Sequence, residues 1–354
     1  SNLYKSILSS NNVIENSSDA TEVAEAQFLR ALSYFKLVMV FGDVTVNLVA
    51  TPDVSDPSIL TRQPATDVYN NIIIPDFQAA IAGLDNSGVS NGRASQIAAR
   101  GLLGKVYMHR GDYVAAATEL EAVVNGAAGA GISLESDFAA VVTDGSSEII
   151  FATILSASLP SAYTAGTGFP GWFSGGDTKS LTPLDPDLVA AFDAVANDTL
   201  VGGDLRRALT IDESVSASVK FTGEQFDEDE DSGNLEQNFI ELRLADVILM
   251  YAEALNENGA PAATVLPLLD DIRTRAGLNS LTGTASSQAE VRQAIADERR
   301  LELAFEGHRW FDLVRTGTVD SEMGLTISSD YNVFPIPNSE ILASGGVITQ
   351  NPGY

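Results

Sequence analysis

The sequence predicts a mainly α-helical protein, a frame of tetratricopeptide-like helical hairpins with an irregular insertion of loops and short strands. Three observations predict it. Apolar residues recur at spacings of three and four over long stretches near both ends of the 354-residue chain. Residues 93–124 carry the offsets of a helix–turn–helix repeat unit. Between the helical ends lies a segment rich in Gly, Ala, Ser and Thr that has no helical period.

From Thr21 to Phe41 the residues Ala24, Phe28, Ala31, Phe35 and Val38 form one apolar stripe, so this helix must face a core. Asp19 stands at the N-cap position and Gly42 where the helix should stop. A second helix is predicted from Pro64–Asp67 through Tyr69, Ile72, Ile73, Phe77 and Ile81 to Leu84, kinked or broken by Pro75. Ala94–Arg110 and Tyr113–Val124 read as paired helices around a tight Gly111-Asp112 turn. Leu103, Gly104, Tyr107, Gly111, Tyr113, Ala116 and Leu120 fall at tetratricopeptide offsets. Gly104 and Ala116 are small where two helices approach, and Tyr107 and Leu120 fill the space beside them.

The texture then changes. Ser147–Leu155 reads as a strand, 156–182 has turn composition, and 198–239 suits short strands and loops. Helices resume at Leu242–Glu257, Ala262–Ala276, Gln288–Phe305 and His308–Thr316, and Asn332–Tyr354 is extended and Pro-rich. The expected organisation is one compact unit in three parts: helical 1–126, a loop- and strand-rich insertion at 127–239, and helical 240–354.

Charge narrows the partners. Lys+Arg 20 against Asp+Glu 48 leaves a net charge of −28. A chain so acidic lacks the cations that release counterions from nucleic acid or hold anionic lipid, whereas neutral ligands carry no such penalty. Cys 0 removes disulfides, thiolate metal sites and cysteine nucleophiles together. No apolar run approaches the length of about 18 residues that a membrane-spanning helix needs.

Several motifs invite chemistry and fail on context. Gly166-Thr167-Gly168-Phe169-Pro170-Gly171 has the dinucleotide-binding spacing, but Trp172-Phe173-Ser174-Gly175-Gly176 cannot propagate the helix that motif requires. Asp227, Asp229 and Asp231 imitate the start of a calcium loop, yet Ser232 stands where Gly is needed and Asn238 where Glu is needed. His109 and His308 have no metal-ligand spacing to a partner, and both are expected to be structural. No serine sits in a nucleophile elbow, and no Gly-rich loop ends in Gly-Lys-Ser/Thr. Asp297-Glu298-Arg299-Arg300-Leu301-Glu302, with Glu306 and Arg309, alternates signs at helical spacings and is expected to form ion pairs that lock one helix to its neighbours. Trp310, among those charges, is expected to pack. Neither catalysis, nor a cofactor, nor a bound metal is predicted.

The better lead is a set of aromatics without helical period. Tyr163, Phe169, Trp172 and Phe173 lie in a Gly-rich loop, where rings offer flat apolar faces to sugar C–H groups. Asp177 and Lys179, with Ser174, are near enough in sequence to bind hydroxyls.

The same chain resembles the SusD/RagB family. The resemblance rests on Ala24-Glu25-Ala26-Gln27-Phe28-Leu29-Arg30-Ala31-Leu32-Ser33-Tyr34-Phe35, Phe41-Gly42-Asp43-Val44 and Gly92-Arg93-Ala94-Ser95. It continues through Leu242–Ala254, Ile272-Arg273-Thr274-Arg275-Ala276-Gly277, Glu298–Leu313, Phe334-Pro335-Ile336-Pro337 and the closing Gln350-Asn351-Pro352-Gly353-Tyr354. It implies non-catalytic binding of oligosaccharide or polysaccharide at the outer face of the outer membrane, anchored by lipid on a cysteine that would precede this sequence. It also implies a SusC-like TonB-dependent transporter as partner. The quoted motifs are frame residues, and none transfers as a sugar contact. A helical-repeat adaptor that binds a protein or peptide is the alternative reading.

Overall fold

Helix α1 (Asn2–Asn16) precedes the first predicted helix, and its Leu3, Tyr4, Ile7 and Ile14 recur at helical spacings. Ile7, Ser10 and Asn11 are buried, and Asn11 Nδ2 donates to the carbonyls of Asn47 (3.0 Å) and Val49 (3.2 Å). The computed structural model describes residues 2–53, 55–155, 184–195, 200, 202–214, 216–221 and 238–354. They divide into two compact units, Ser1–Gly111 with Trp310–Tyr354, and Asp112–Arg309.

In the first unit α1 packs along α2 (Ala20–Phe41). Asp19 caps α2 as expected, its carboxylate accepting from the Thr21 and Glu22 amides, and Gly42 ends it at φ 70°. β1 (Val44–Thr45) pairs antiparallel with β2 (Arg62–Gln63). The second predicted helix runs unbroken from Ala65 to Gly83, its hydrogen-bond ladder altered just ahead of Pro75. α3 (Ala65–Val68) runs into a π-turn over Tyr69–Ile73, and α4 (Ile74–Gly83) begins with Pro75 in its first turn. Pro75 has no N–H for residue 71, and the ladder widens by one residue so that the Ile74 amide bonds Tyr69 O. α5 (Gln96–Arg110) starts on the Ser95 cap and stops at Gly111, φ 70°.

The core of this unit is aromatic: Phe28 meets Phe77 edge-on at 5.8 Å, and Phe35 meets both Tyr69 (6.1 Å) and His109 (5.3 Å). His109 is thus a packing residue. Between α2 and α4, a Cβ built on Gly83 would lie 2.6 Å from the Ala24 Cβ. Gly83→Ala is therefore expected to destabilise the protein by about 1–3 kcal/mol through overpacking. Gly129, where a Cβ meets nothing within 4 Å, is the control. Equal urea midpoints for the two variants would refute the close approach.

The second unit opens with α6 (Tyr113–Gly126), capped by Asp112. The expected strand appears as β3 (Ile149–Thr153). α7 (Pro186–Ala194), α8 (Leu205–Thr210) and the two-residue pair β4 (Ile211–Asp212) and β5 (Ala217–Ser218) follow. β6 (Phe239–Arg243) pairs antiparallel with β3, with Ile149 opposite Arg243 and Thr153 opposite Phe239. The helix predicted from Leu242 thus begins two residues later, because Leu242 and Arg243 belong to the strand. α9 (Leu244–Glu257) is the hub: α6, α10 (Ala262–Arg275) and α11 (Gln288–Glu302) all pack on it.

α11 ends three residues before its predicted end, since Phe305 takes φ 64° and Gly307 φ 83°. The chain continues through α12 (Arg309–Thr316), α13 (Val319–Met323) and, inside the tail read as extended, the six-residue α14 (Asn338–Ala343). The architecture is the one predicted, helix pairs with a small, open set of strands.

Candidate functional site

The charged segment at 297–309 does what its periodicity predicts. Glu298, Glu302 and Glu306 stand four residues apart and face inward, and with Glu148 and Asp204 they meet Arg206, Lys220, Arg243, Arg273 and Arg275. Among the described residues these are five carboxylates against five cations, each side chain 5% exposed or less. Arg243 spends all its donors: Nε on Glu306 (2.7 Å), Nη1 on Glu148 (2.9 Å) and Glu302 (2.8 Å), and Nη2 on Glu306 (2.7 Å) and the Glu302 carbonyl (3.0 Å). Arg275 donates to Glu148 and Glu302. Arg206 holds Asp204 (2.9 Å), Glu298 (2.6 Å) and Glu302 (3.2 Å). Lys220 Nζ donates to Glu306 (2.5 Å) and to the carbonyls of Glu302 (2.8 Å) and Ala304 (3.2 Å). The positive φ of Phe305 turns the chain between these acceptors. Arg299 pairs with Asp246 at 2.9 Å beside the cluster, and His308 Nδ1 lies 4.0 Å from the same carboxylate.

Electrostatics follow from this packing. Burial alone would raise the Glu302 carboxyl, but Arg243, Arg275, Arg206 and Lys220 reverse it and hold it well below the ordinary carboxylate range. Burial acts on Glu306 in the same way, and Arg243 and Lys220 bring it down to about 2. Burial pushes the Lys220 ammonium below its ordinary value despite Glu306. A carboxylate so bound neither takes nor gives a proton near neutrality. The cluster is a tie between elements, not acid–base machinery.

A polar clamp also organises the first unit. Arg30 grips Asp76 with two bonds (2.7 and 2.8 Å) and Asn11 with a third (2.9 Å), joining α2, α4 and α1. Arg62 donates to the carbonyls of Phe41 (3.1 Å), Asp43 (2.8 Å) and Thr349 (3.0 Å) and to Asn351 Oδ1 (2.5 Å). Asn351 returns its amide to Phe41 O (3.0 Å) and Phe334 O (2.7 Å), so the closing segment is bound to the end of α2. Beside this clamp lies a cleft of about 110 Å³ lined by Tyr4, Leu37, Phe41, Val44, Ile336 and Ile348. Asp43, Arg62 and Glu340 also line it, and within it Thr45 Oγ1 donates to Tyr4 Oη (2.8 Å), which donates to Thr45 O (3.2 Å).

The six residues predicted to touch ligand, Tyr163, Phe169, Trp172, Phe173, Asp177 and Lys179, lie outside the described residues, as does the acidic run 227–231. The flanking residues are described. The Leu155 amide donates to Asn238 Oδ1 (2.9 Å), and Leu155 and Ile240 pack on Phe138, Val141, Val142 and Phe221. Leu184, on the far side of the segment, packs on Phe192, Ile211 and Leu301. Phe305 touches both clusters. Trp310 is half-buried, as a packing residue should be. Phe334 and Tyr354, which carry part of the SusD resemblance within the predicted extended tail, and Tyr331 just ahead of that tail were not among the predicted ligand residues. They are exposed here, and aromatics without helical period were the signal that could have marked them.

Residues 217–354 match the SusD family, and residues 1–108 match a family described as starch-binding associating with outer membrane. The chain is 30% identical over 382 residues to SusD-like protein P2 of Formosa agariphila, an alignment covering 94% of this chain and 74% of that relative. The chain belongs to the SusD family. Among solved structures it is similar to a laminarin binding SusD-like protein (30% identity, TM-score 0.76, 99% of this chain and 84% of that one). It is also similar to a SusD superfamily protein from Bacteroides thetaiotaomicron (26% identity, TM-score 0.80, with the same coverage). SusD-family proteins bind oligosaccharide or polysaccharide without cutting it and belong to SusC-type uptake systems. Of the ionic cluster, Arg243, Arg273, Arg275, Glu298, Glu302 and Glu306 fall within the motifs that carried the SusD resemblance, as does Asn351 of the clamp.

Proposed function

We propose that this chain captures neutral polysaccharide, laminarin first among candidates, on the outer face of the outer membrane and passes it uncut to a SusC-like TonB-dependent transporter. The observation that carries the reading is the 30% identity to a laminarin binding SusD-like protein over 99% of this chain. The net charge of −28 supports a neutral glycan over a sulfated or uronic one, since repulsion acts over about 8 Å even at physiological salt. In this reading Trp172, Tyr163, Phe169 and Phe173 stack on sugar rings and Asp177 and Lys179 bind hydroxyls. A lipid anchor ahead of residue 1 keeps the protein at the membrane, and direct docking on the transporter is testable by co-purification.

Affinity electrophoresis against laminarin and a panel of neutral and anionic polysaccharides is the test. Laminarin is expected to retard the wild type. Trp172→Ala is expected to weaken that retention about tenfold or more, because a stacked indole loses both apolar area and ring geometry. Unchanged retention by Trp172→Ala would remove the site assignment, and a wild type that ignores every glycan would remove the function.

A further inference from the structure

Exposed aromatic rings are few among the described residues, and most of them gather in one place. Phe239 (38%), Tyr331 (44%), Phe334 (49%) and Tyr354 (49%) are the exposed ones, and the last three belong to one corner of the first unit. Tyr331 and Tyr354 stand perpendicular, ring centroids 5.3 Å apart and planes at 89°. Tyr354 Oη donates to the Val333 carbonyl (2.9 Å), which fixes the far end of its ring.

The corner is held, not merely left outside. Gly353 sits at φ 87°, and a Cβ there would lie 2.8 Å from the Asp330 Cβ, so the turn into Tyr354 lies directly against Asp330. The Phe334 amide donates to Val40 O (2.7 Å), and its carbonyl takes the Asn351 amide. Ser328 binds Asp330 and caps the short turn that carries Tyr331. Two perpendicular rings with fixed backbones present one face and one edge, into which a flat C–H surface fits at little cost in ordering. The Asp330 carboxylate at the foot of the corner accepts hydroxyl protons and repels anions.

We propose that the Tyr331–Tyr354 corner, with Asp330, is a second saccharide-binding site that takes a neutral hexose unit. It rests on the glycan-binding reading above but uses none of the residues at 163–179. Two sites on one protein engage a long polysaccharide together, so each raises retention of the polymer beyond its own affinity.

The test labels the tyrosine rings with ¹³C in the whole chain, assigns Tyr331 and Tyr354 from Tyr→Phe variants, and titrates with a laminarin hexasaccharide. Both ring signals are expected to move, and to move still in Trp172→Ala. Tyr331→Ala is expected to weaken retention on laminarin about three- to tenfold, the range for one stacking ring, with an unchanged unfolding midpoint. Rings that stay still up to about 10 mM hexasaccharide, a concentration that detects even millimolar sites, would overturn the proposal. So would rings that move in the wild type but not in Trp172→Ala, which leaves a single site. Ring shifts in a protein whose retention ignores Trp172→Ala would keep the corner and remove the 163–179 assignment. A wild type that binds no glycan would remove both.

Discussion

Replacing Arg243 by methionine is expected to lower the unfolding free energy by about 3–5 kcal/mol, the range for breaking a buried ion cluster from one side. The reason is the number of groups left behind. Glu148, Glu302 and Glu306 all direct oxygens at the Arg243 guanidinium, and each is essentially without solvent. Without it four cations face five carboxylates in a medium that cannot hydrate the excess charge. Arg243→Lys is expected to recover part of the loss, since it restores the charge but not the planar fork that serves three carboxylates at once. Arg243→Met with Glu306→Gln should cost less than the sum of the singles, because the second change removes a stranded charge. Urea unfolding of the four variants checks this. A loss below about 1 kcal/mol for Arg243→Met, the size of a surface pair, would mean that the cluster is not the tie described. The exposed pair Arg93–Glu25 is the natural comparison, for there solvent screens the charges and little change is expected.

Stability should also fall with acid in a window set by the same cluster. Glu306 titrates at about 2 in the folded protein against an ordinary 4.5, and Glu302 is displaced in the same direction. Between these values the unfolded chain binds more protons than the folded one, so stability drops as pH falls. The contribution is complete above pH 4.5, is lost progressively from 4.5 down to 2, and amounts to about 3 kcal/mol for Glu306 alone. Urea midpoints at a series of pH values test it on wild type and Glu306→Gln. The wild-type curve should fall more steeply through the window than the variant's, and parallel curves would show that Glu306 is not held as described. Added salt should change the fall little, since buried pairs are poorly screened.

The elements legible in the sequence are those whose burial is apolar and periodic. α2 announced itself through Ala24, Phe28, Ala31, Phe35 and Val38, four of them nearly without solvent and Val38 at 4%. Pro75 foretold a break, though not that a π-turn would absorb it. α1 also carries a period, through Leu3, Tyr4, Ile7 and Ile14, but sequence alone does not tell that Asn11, Ser6 and Tyr4 bond across to distant segments. α7, α8 and α14 are too short for a period to develop. The ionic cluster was half visible. Its α11 side is written in the four-residue spacing of Glu298 and Glu302, while Glu306 lies past the helix end and Glu148, Asp204 and Lys220 are dozens of residues away. The predicted ligand residues were picked for lacking a period, and the same criterion applies to Tyr331 and Tyr354. Nothing in the sequence states that these two rings meet.

The sequence by itself determined the helical frame, the insertion within it, the SusD kinship and the strongly acidic net charge. Those properties are local or compositional: periodicity, caps, spacing and net charge depend on neighbours along the chain. Tertiary structure alone decided which carboxylate answers which guanidinium, where Pro75 sends the chain, and which aromatic rings remain in water. Such pairings form between residues distant in sequence, and their energies arise from desolvation and from donor geometry that exist only once the chain has closed on itself.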